Sequence, residues 1–164
     1  MNIIEFIIGL FVGARKEEPE AIFGISDRGL NIIKDHEKLR LTAYLPTPND
    51  VWTIGWGHTK TAKPGMTITE AEAERLLRGD LAWVEATIAD LVKVPLTQNQ
   101  YDALASFIFN IGRTQFNEST MLKLLNAKDY EGAAAQFPRW NKQKGRVLKG
   151  LTKRRNQEQQ LFLS

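Results

Sequence analysis

A chain of 164 residues that is 43% hydrophobic, 25% charged and 9% aromatic has the size and balance of one soluble globular domain, which excludes disordered, collagen-like and multi-span membrane classes. It has no cysteine and only two histidines, His36 and His58, so disulfide frameworks, thiol nucleophiles and thiolate metal centres are excluded, and carboxylates carry most of the remaining chemistry. The net charge of +3 is unevenly spread: the last 26 residues hold eight basic side chains against Glu158 alone, an excess that fits an anionic partner such as nucleic acid, a membrane surface or a cell-wall polymer.

The chain opens on an apolar run from Ile3 to Val12, broken by Glu5 and Gly9. A spanning helix needs about 20 apolar residues, so this run is too short, and it lacks the basic leader and small-residue cleavage site of a secretory signal. The expectation is a helix docked on the domain, with a membrane-associating segment as the alternative. Residues 15–19 (RKEEP) look like a polar linker, so residues 1–25 stand apart from a domain over residues 26–164.

From Ser26 or Asp27, either able to cap, Leu30 and Ile33 with Ile32 give an apolar stripe running toward Glu37 and predict a helix. Residues 39–44 and 51–57 are short and rich in β-branched and aromatic side chains, and the proline-containing stretch 46–50 between them predicts a hairpin. Thr69 followed by Glu70 and Glu72 marks a helix start, and the periodic Leu76, Leu77, Leu81, Val84, Ile88 and Leu91 predict one long helix ending before Pro95. Thr97 begins a buried central helix that Gly112 ends. Shorter helices are expected from Ser119, from Asp129 and over about 150–162. No internal repeat is visible. The expected fold is α+β and mostly helical, with a small hairpin lobe on the N-terminal side packed on a helical lobe.

Glu37 falls at the C-terminal end of its helix, where the negative dipole and local burial disfavour ionisation, the environment a general acid needs. Asp50, Thr53 and Tyr44 lie on the hairpin. Two carboxylates facing each other across a cleft are the usual apparatus for cutting a glycosidic bond.

The string from Glu37 to Tyr44, then 51–59 (VWTIGWGHT), 109–112 (FNIG), 139–142 (RWNK) and 150–155 (GLTKRR) closely resembles the tailed-phage lysozyme, or endolysin, family over about residues 26–162. The resemblance implies a lysozyme-like fold and a muramidase with a Glu, an Asp and a Thr at its centre, inverting the sugar carbon. It assigns the general acid to Glu37 and a water-holding hydroxyl to Thr53. Its aspartate position is occupied by Pro46 or Thr47, and the nearest acid is Asp50, three residues before Thr53. Three readings stay open: Asp50 reaches the cleft from a shifted turn, Thr53 and Thr47 hold the water alone, or cutting is lost.

The resemblance also pairs His58 with Asp80 as a structural tie and sets Asn110 on the cleft. Tyr44, Thr47 and Trp56 are candidate sugar contacts, Trp52 and Trp56 being expected to face one side together. Trp140 is expected in the core. No metal or organic cofactor is implied. The expected partner is the peptidoglycan glycan strand, cut by a monomer that waits in the host cytoplasm for a holin, or is membrane-tethered through residues 3–12, before acting on the wall. A lysozyme fold that grips glycan without cutting it is the rival reading, favoured by the displaced aspartate; nucleic-acid binding through the basic end ranks last, for want of an accompanying motif.

Overall fold

The computed structural model describes residues 24–164; the expectations for the apolar run, residues 3–12, and for the linker lie outside the described residues. Among the described residues eight α-helices surround a buried core, with two small hairpins at the surface. Helix α1 is Asp27–His36, with the Ser26 hydroxyl accepting from the Arg28 N–H as its cap. Strands β1 (Arg40–Tyr44) and β2 (Thr53–Gly55) pair antiparallel, Arg40 opposite Gly55 and Tyr44 opposite Thr53, with an irregularity between them.

The expected single long helix is two. Helix α2 (Glu70–Asp80) and helix α3 (Ala82–Leu91) meet at Leu81, where the Val84 and Glu85 N–H groups both bond the Leu81 carbonyl. Apolar spacing cannot register such a break, because Leu81 is 1% exposed and keeps its place in the stripe. The local sequence favours it: Gly79 costs a helix about 1 kcal/mol relative to alanine, and glycine is a common site of kinks.

Helix α4 (Gln98–Ile111) is the axis of the core. Thr97 and Gln100 form a reciprocal capping box at its start, and Gly112, at φ 87°, ends it in a backbone region that favours glycine. Its residues 102–108 are all buried. Phe107 meets Phe137 and Trp140 edge-on at 5.1 and 5.6 Å between centroids. Trp140 is half-buried, packed against the core yet reaching a surface cavity.

Helix α1 lies close against α4. A Cβ added at Gly29 would stand 2.8 Å from Asp102 Cβ, and the buried Asp102 carboxylate accepts from the Ser26 N–H at 2.9 Å and the Ser26 hydroxyl at 2.5 Å. This one acid therefore ties the α1 cap to the central helix.

Helices α5 (Arg113–Asn117), α6 (Thr120–Asn126) and α7 (Tyr130–Ala134) follow, then a 3₁₀ turn over Phe137–Trp140. Helix α5 and the 3₁₀ turn are additions to the expected elements. So is the hairpin of β3 (Lys142–Gln143) and β4 (Arg146–Val147), whose turn residues Lys144 and Gly145 have φ 49° and 77°. Two positive-φ residues suit the twist of a tight hairpin. Helix α8 (Lys149–Phe162) closes the chain against α1, α4 and the 3₁₀ turn.

Two cations of the basic end are not on the surface. Arg154 is 3% exposed and Arg155 is 0% exposed, both facing the equally buried Glu158. The exposed basic set is Arg139, Lys142, Lys144, Arg146, Lys149 and Lys153.

Candidate active site

Glu37 is the residue at which the chain leaves α1. Its N–H still bonds the Ile33 carbonyl at 2.9 Å while its own backbone is extended, so its side chain is set by a helix end rather than by a free loop. The expected burial is incomplete: the side chain keeps 30% exposure, and its Oε1 accepts from Arg154 Nη1 at 2.9 Å. A carboxyl that is open to solvent on one side and held by a buried guanidinium on the other is oriented and still reachable.

The hairpin turn gathers four of the candidate residues. Tyr44 pairs in register with Thr53, and the Thr47 carbonyl accepts from the Asp50 N–H at 3.0 Å. Asp50 Oδ1 accepts from the Val51 N–H at 3.0 Å, and the Thr53 hydroxyl donates to the Val51 carbonyl at 3.1 Å. Asp50 and Thr53 are thus fastened to the two sides of one residue. Asp50 is exposed, as a turn residue is, and Thr53 is 7% exposed with its hydroxyl lone pairs left to accept. The Arg40 guanidinium sits over the Tyr44 ring at 5.3 Å, which holds that ring at the strand end.

Trp56 departs from expectation. It is 6% exposed and belongs to the core, with the Lys34 ammonium 4.8 Å over its ring, so it supports the hairpin from beneath instead of presenting a face to a sugar. The positive φ of 64° at Gly55 breaks the strand alternation just before it. Trp52 is only half-buried, so the two rings do not share one environment.

His58 is 5% exposed, with Nδ1 2.7 Å from Asp80 Oδ2. Its Nε2 accepts from the Thr61 N–H at 3.1 Å and lies 2.8 Å from the Thr61 hydroxyl. An N–H donated to Nε2 leaves the ring proton on Nδ1, aimed at Asp80. Both ring nitrogens are therefore engaged within the protein. Asp80 also stands 3.5 Å from Lys60 Nζ.

Asn110 is exposed at the C-terminal end of α4 and borders a cavity of about 300 Å³ with Gln115, Trp140, Gln143 and Leu151. A second hollow of about 200 Å³ lies between Gly57, Thr59, Asp80, Trp83 and Phe109, the last two rings stacked at 6.5 Å. Among the described residues no group of three or more His, Asp or Glu is disposed to hold a metal ion.

His36, beside Glu37, lies 2.5 Å from Gln157 Oε1 through Nε2. Its pKa is pushed below the ordinary histidine value, first by burial, with Arg154 and Lys153 adding to the effect and the Gln157 hydrogen bond opposing it. Arg154 is the functional neighbour that sequence reasoning missed. It sits in a run of basic residues that reads as a site for an anionic partner, and only the packing of α8 on α1 and α4 brings it to Glu37.

A family model described as phage lysozyme matches residues 34–158. The endolysin of Acyrthosiphon pisum secondary endosymbiont phage 1 is 51% identical over 144 residues, covering 85% of this chain and 98% of that protein. A SAR-endolysin of Escherichia phage Mu is 45% identical over 122 residues, 73% of this chain and 71% of that one. Among solved structures, a mutant of the lysozyme of phage P22 superposes with a TM-score of 0.79 at 44% identity, covering 87% of this chain and all of that one.

Proposed function

The chain belongs to the phage lysozyme family, and from that premise we propose that it hydrolyses the β-1,4 bond between N-acetylmuramic acid and N-acetylglucosamine in bacterial peptidoglycan, with Glu37 as general acid. It is a glycoside hydrolase of the lysozyme kind, a muramidase of the endolysin type. The observation that carries the residue assignment is the Glu37 carboxyl, fixed from behind by the buried Arg154 while one side stays open.

In this reading Glu37 gives its proton to the glycosidic oxygen as the bond to the sugar carbon breaks. A water adds to that carbon from the opposite face and inverts it. The Thr53 hydroxyl, its own proton committed to the Val51 carbonyl, accepts from the water and aims it. Asp50, fastened to the other side of Val51, takes the proton the water sheds. Solvent then returns a proton to Glu37 and removes one from Asp50. Asn110 and Tyr44 contact the sugar chain, and Thr47 helps hold the water. His58 and Asp80 tie the hairpin to α2 and take no part in proton transfer, since both ring nitrogens are occupied.

The partner is peptidoglycan, met as a monomer, with the exposed basic residues 139–153 facing the anionic wall and no nucleic acid involved. The similarity to the SAR-endolysin of phage Mu favours membrane-tethered secretion and action on the cell wall over release from the cytoplasm. Residues 3–12 are the segment we assign to membrane contact. No helix among the described residues is long and apolar enough to cross a membrane.

The test is lysis of outer-membrane-permeabilised Gram-negative cells together with release of new reducing ends. Wild type should do both, and Glu37→Gln should lose about 10²–10⁴-fold of the rate. If wild type binds the wall and releases no reducing ends, the glycan-gripping alternative replaces this one.

A further inference from the structure

Behind Glu37 lies a buried charge cluster that the cleavage chemistry does not use. Arg154 spreads its guanidinium over three partners: Nη1 to Glu37 Oε1 at 2.9 Å, Nε to Glu158 Oε1 at 3.1 Å, and Nη2 to the Ser106 carbonyl at 3.1 Å. Glu158 is wholly buried. Its Oε1 also accepts from the Ser106 hydroxyl at 2.7 Å and from Arg155 Nη2 at 3.0 Å, and Arg155 Nε stands 2.8 Å from its Oε2. Arg155 lays its guanidinium 4.9 Å over the Phe107 ring, and its Nη1 has no hydrogen-bond partner among the described residues.

Such a cluster is a poor source of stability, because apolar residues of the same volume commonly do as well or better. Its position suggests another use. An arginine bonded to a general acid favours the carboxylate, the form that cannot donate a proton. The Glu158 carboxyl lies on the far edge of that same guanidinium.

We propose that Glu158 is a positioning residue for the general acid: it holds Arg154 from behind and offsets its charge, and Arg154 in turn orients Glu37. This rests on Glu37 being the acid. Glu158 is faced by Arg154 and Arg155 from α8 and by Ser106 from α4, and the titratable neighbour of Glu37 on α1 is His36, on which Arg154, Lys153 and Asp35 act. Lys153 and Asp35 are exposed and screened, which leaves the two buried arginines and Glu158 to set the balance. Burial pushes Glu158 up, and both guanidiniums pull it back toward the ionised form.

The experiment is the pH profile of kcat, whose alkaline limb follows loss of the proton from the general acid. Glu158→Gln keeps the shape and removes the negative charge. It should move the alkaline limb to lower pH by about one unit and lower kcat at neutral pH about tenfold, with KM nearly unchanged. Glu158→Asp keeps the negative charge on a shorter arm and should return the limb toward its wild-type position.

A limb displaced by Glu158→Gln and brought back by Glu158→Asp supports the proposal. A limb that stays in place in a folded Glu158→Gln, or that moves as far in Glu158→Asp, overturns it, because loss of packing alone does not follow the charge. If Glu158→Gln does not fold, Glu158→Gln combined with Arg155→Met, which removes the unpaired buried cation, is read in its place, and its limb must still lie below that of wild type. If wild type releases no reducing ends, the proposed function fails by itself. The cluster is then judged by the NMR signal of the Arg154 Nε–H, whose pH response senses the charge on Glu37 and must move to lower pH in Glu158→Gln and return in Glu158→Asp.

Discussion

Asp50 and Thr53 share one anchor, the two backbone groups of Val51, and that arrangement gives the displaced acid a testable place in the reaction. With Asp50 as the base, Asp50→Asn keeps the turn hydrogen bond yet cannot take a proton, so kcat should fall about 10²-fold or more in a reducing-end assay. A loss of less than threefold assigns the water to Thr53 and Thr47 alone. His36 gives a prediction in pH. Its pKa is depressed in the folded chain, chiefly by burial, so just below pH 6.5 the unfolded chain binds more protons than the folded one. Stability therefore rises with pH through that window and is lost as pH falls. The urea midpoint of wild type minus that of His36→Gln should decrease from about pH 7 to pH 5, and a difference independent of pH removes the assignment. At this scale the strings around Glu37, Thr53 and His58 mark these positions through a family resemblance, and of what that resemblance implies the structure shows the His58–Asp80 contact. The sequence hid Arg154 and the burial of Trp56, since both depend on residues distant in the chain.

The elements were most legible where their ends carry chemistry. Thr69 with Glu72 and Thr97 with Gln100 satisfy orphan N–H groups in reciprocal boxes, and Gly112 supplies the positive φ that ends α4. The break at Leu81 was illegible because one turn of altered hydrogen bonding leaves the apolar stripe intact. The β3–β4 hairpin was also missed: only its Lys144-Gly145 turn distinguishes it, and its four strand residues are all exposed. The contact between α1 and α4 was invisible for a third reason, that it is built on the absence of a side chain. A methyl at Gly29 would meet Asp102 Cβ and Cγ at 2.8 Å and Ile25 Cγ1 at 2.7 Å. Gly29→Ala gains helix propensity, worth up to about 1 kcal/mol, and overpacks the contact, costing about 1–3 kcal/mol. The overpacking term should win, so the urea midpoint should fall; a rise would mean that α1 shifts freely over α4. Because α1 ends at Glu37, the same variant should also lower kcat.

For the whole molecule, the basic C-terminal region proves to be two sets of cations facing opposite ways. Arg154 and Arg155 face inward on Glu158, while Lys144, Arg146 and Lys149 stand exposed on the second hairpin and the start of α8, with no acidic residue between Arg139 and Lys153. Sequence counting merges the two sets, because it sees charge and not the direction in which a helix turns it. Only the outward set can act on a distant anionic polymer, and its effect is screened over about 8–10 Å at ordinary ionic strength. Lys144→Gln, Arg146→Gln and Lys149→Gln combined should slow lysis of permeabilised cells at low salt about tenfold, and the gap should close as salt is raised. Cleavage of a short soluble glycan fragment should change little, because its capture does not draw on a long-range field. A loss that persists at high salt, or equals the loss on the short fragment, would make these cations local sugar contacts. The inward set should respond in the opposite manner, its effect on the pH profile indifferent to salt, because buried charges are screened least.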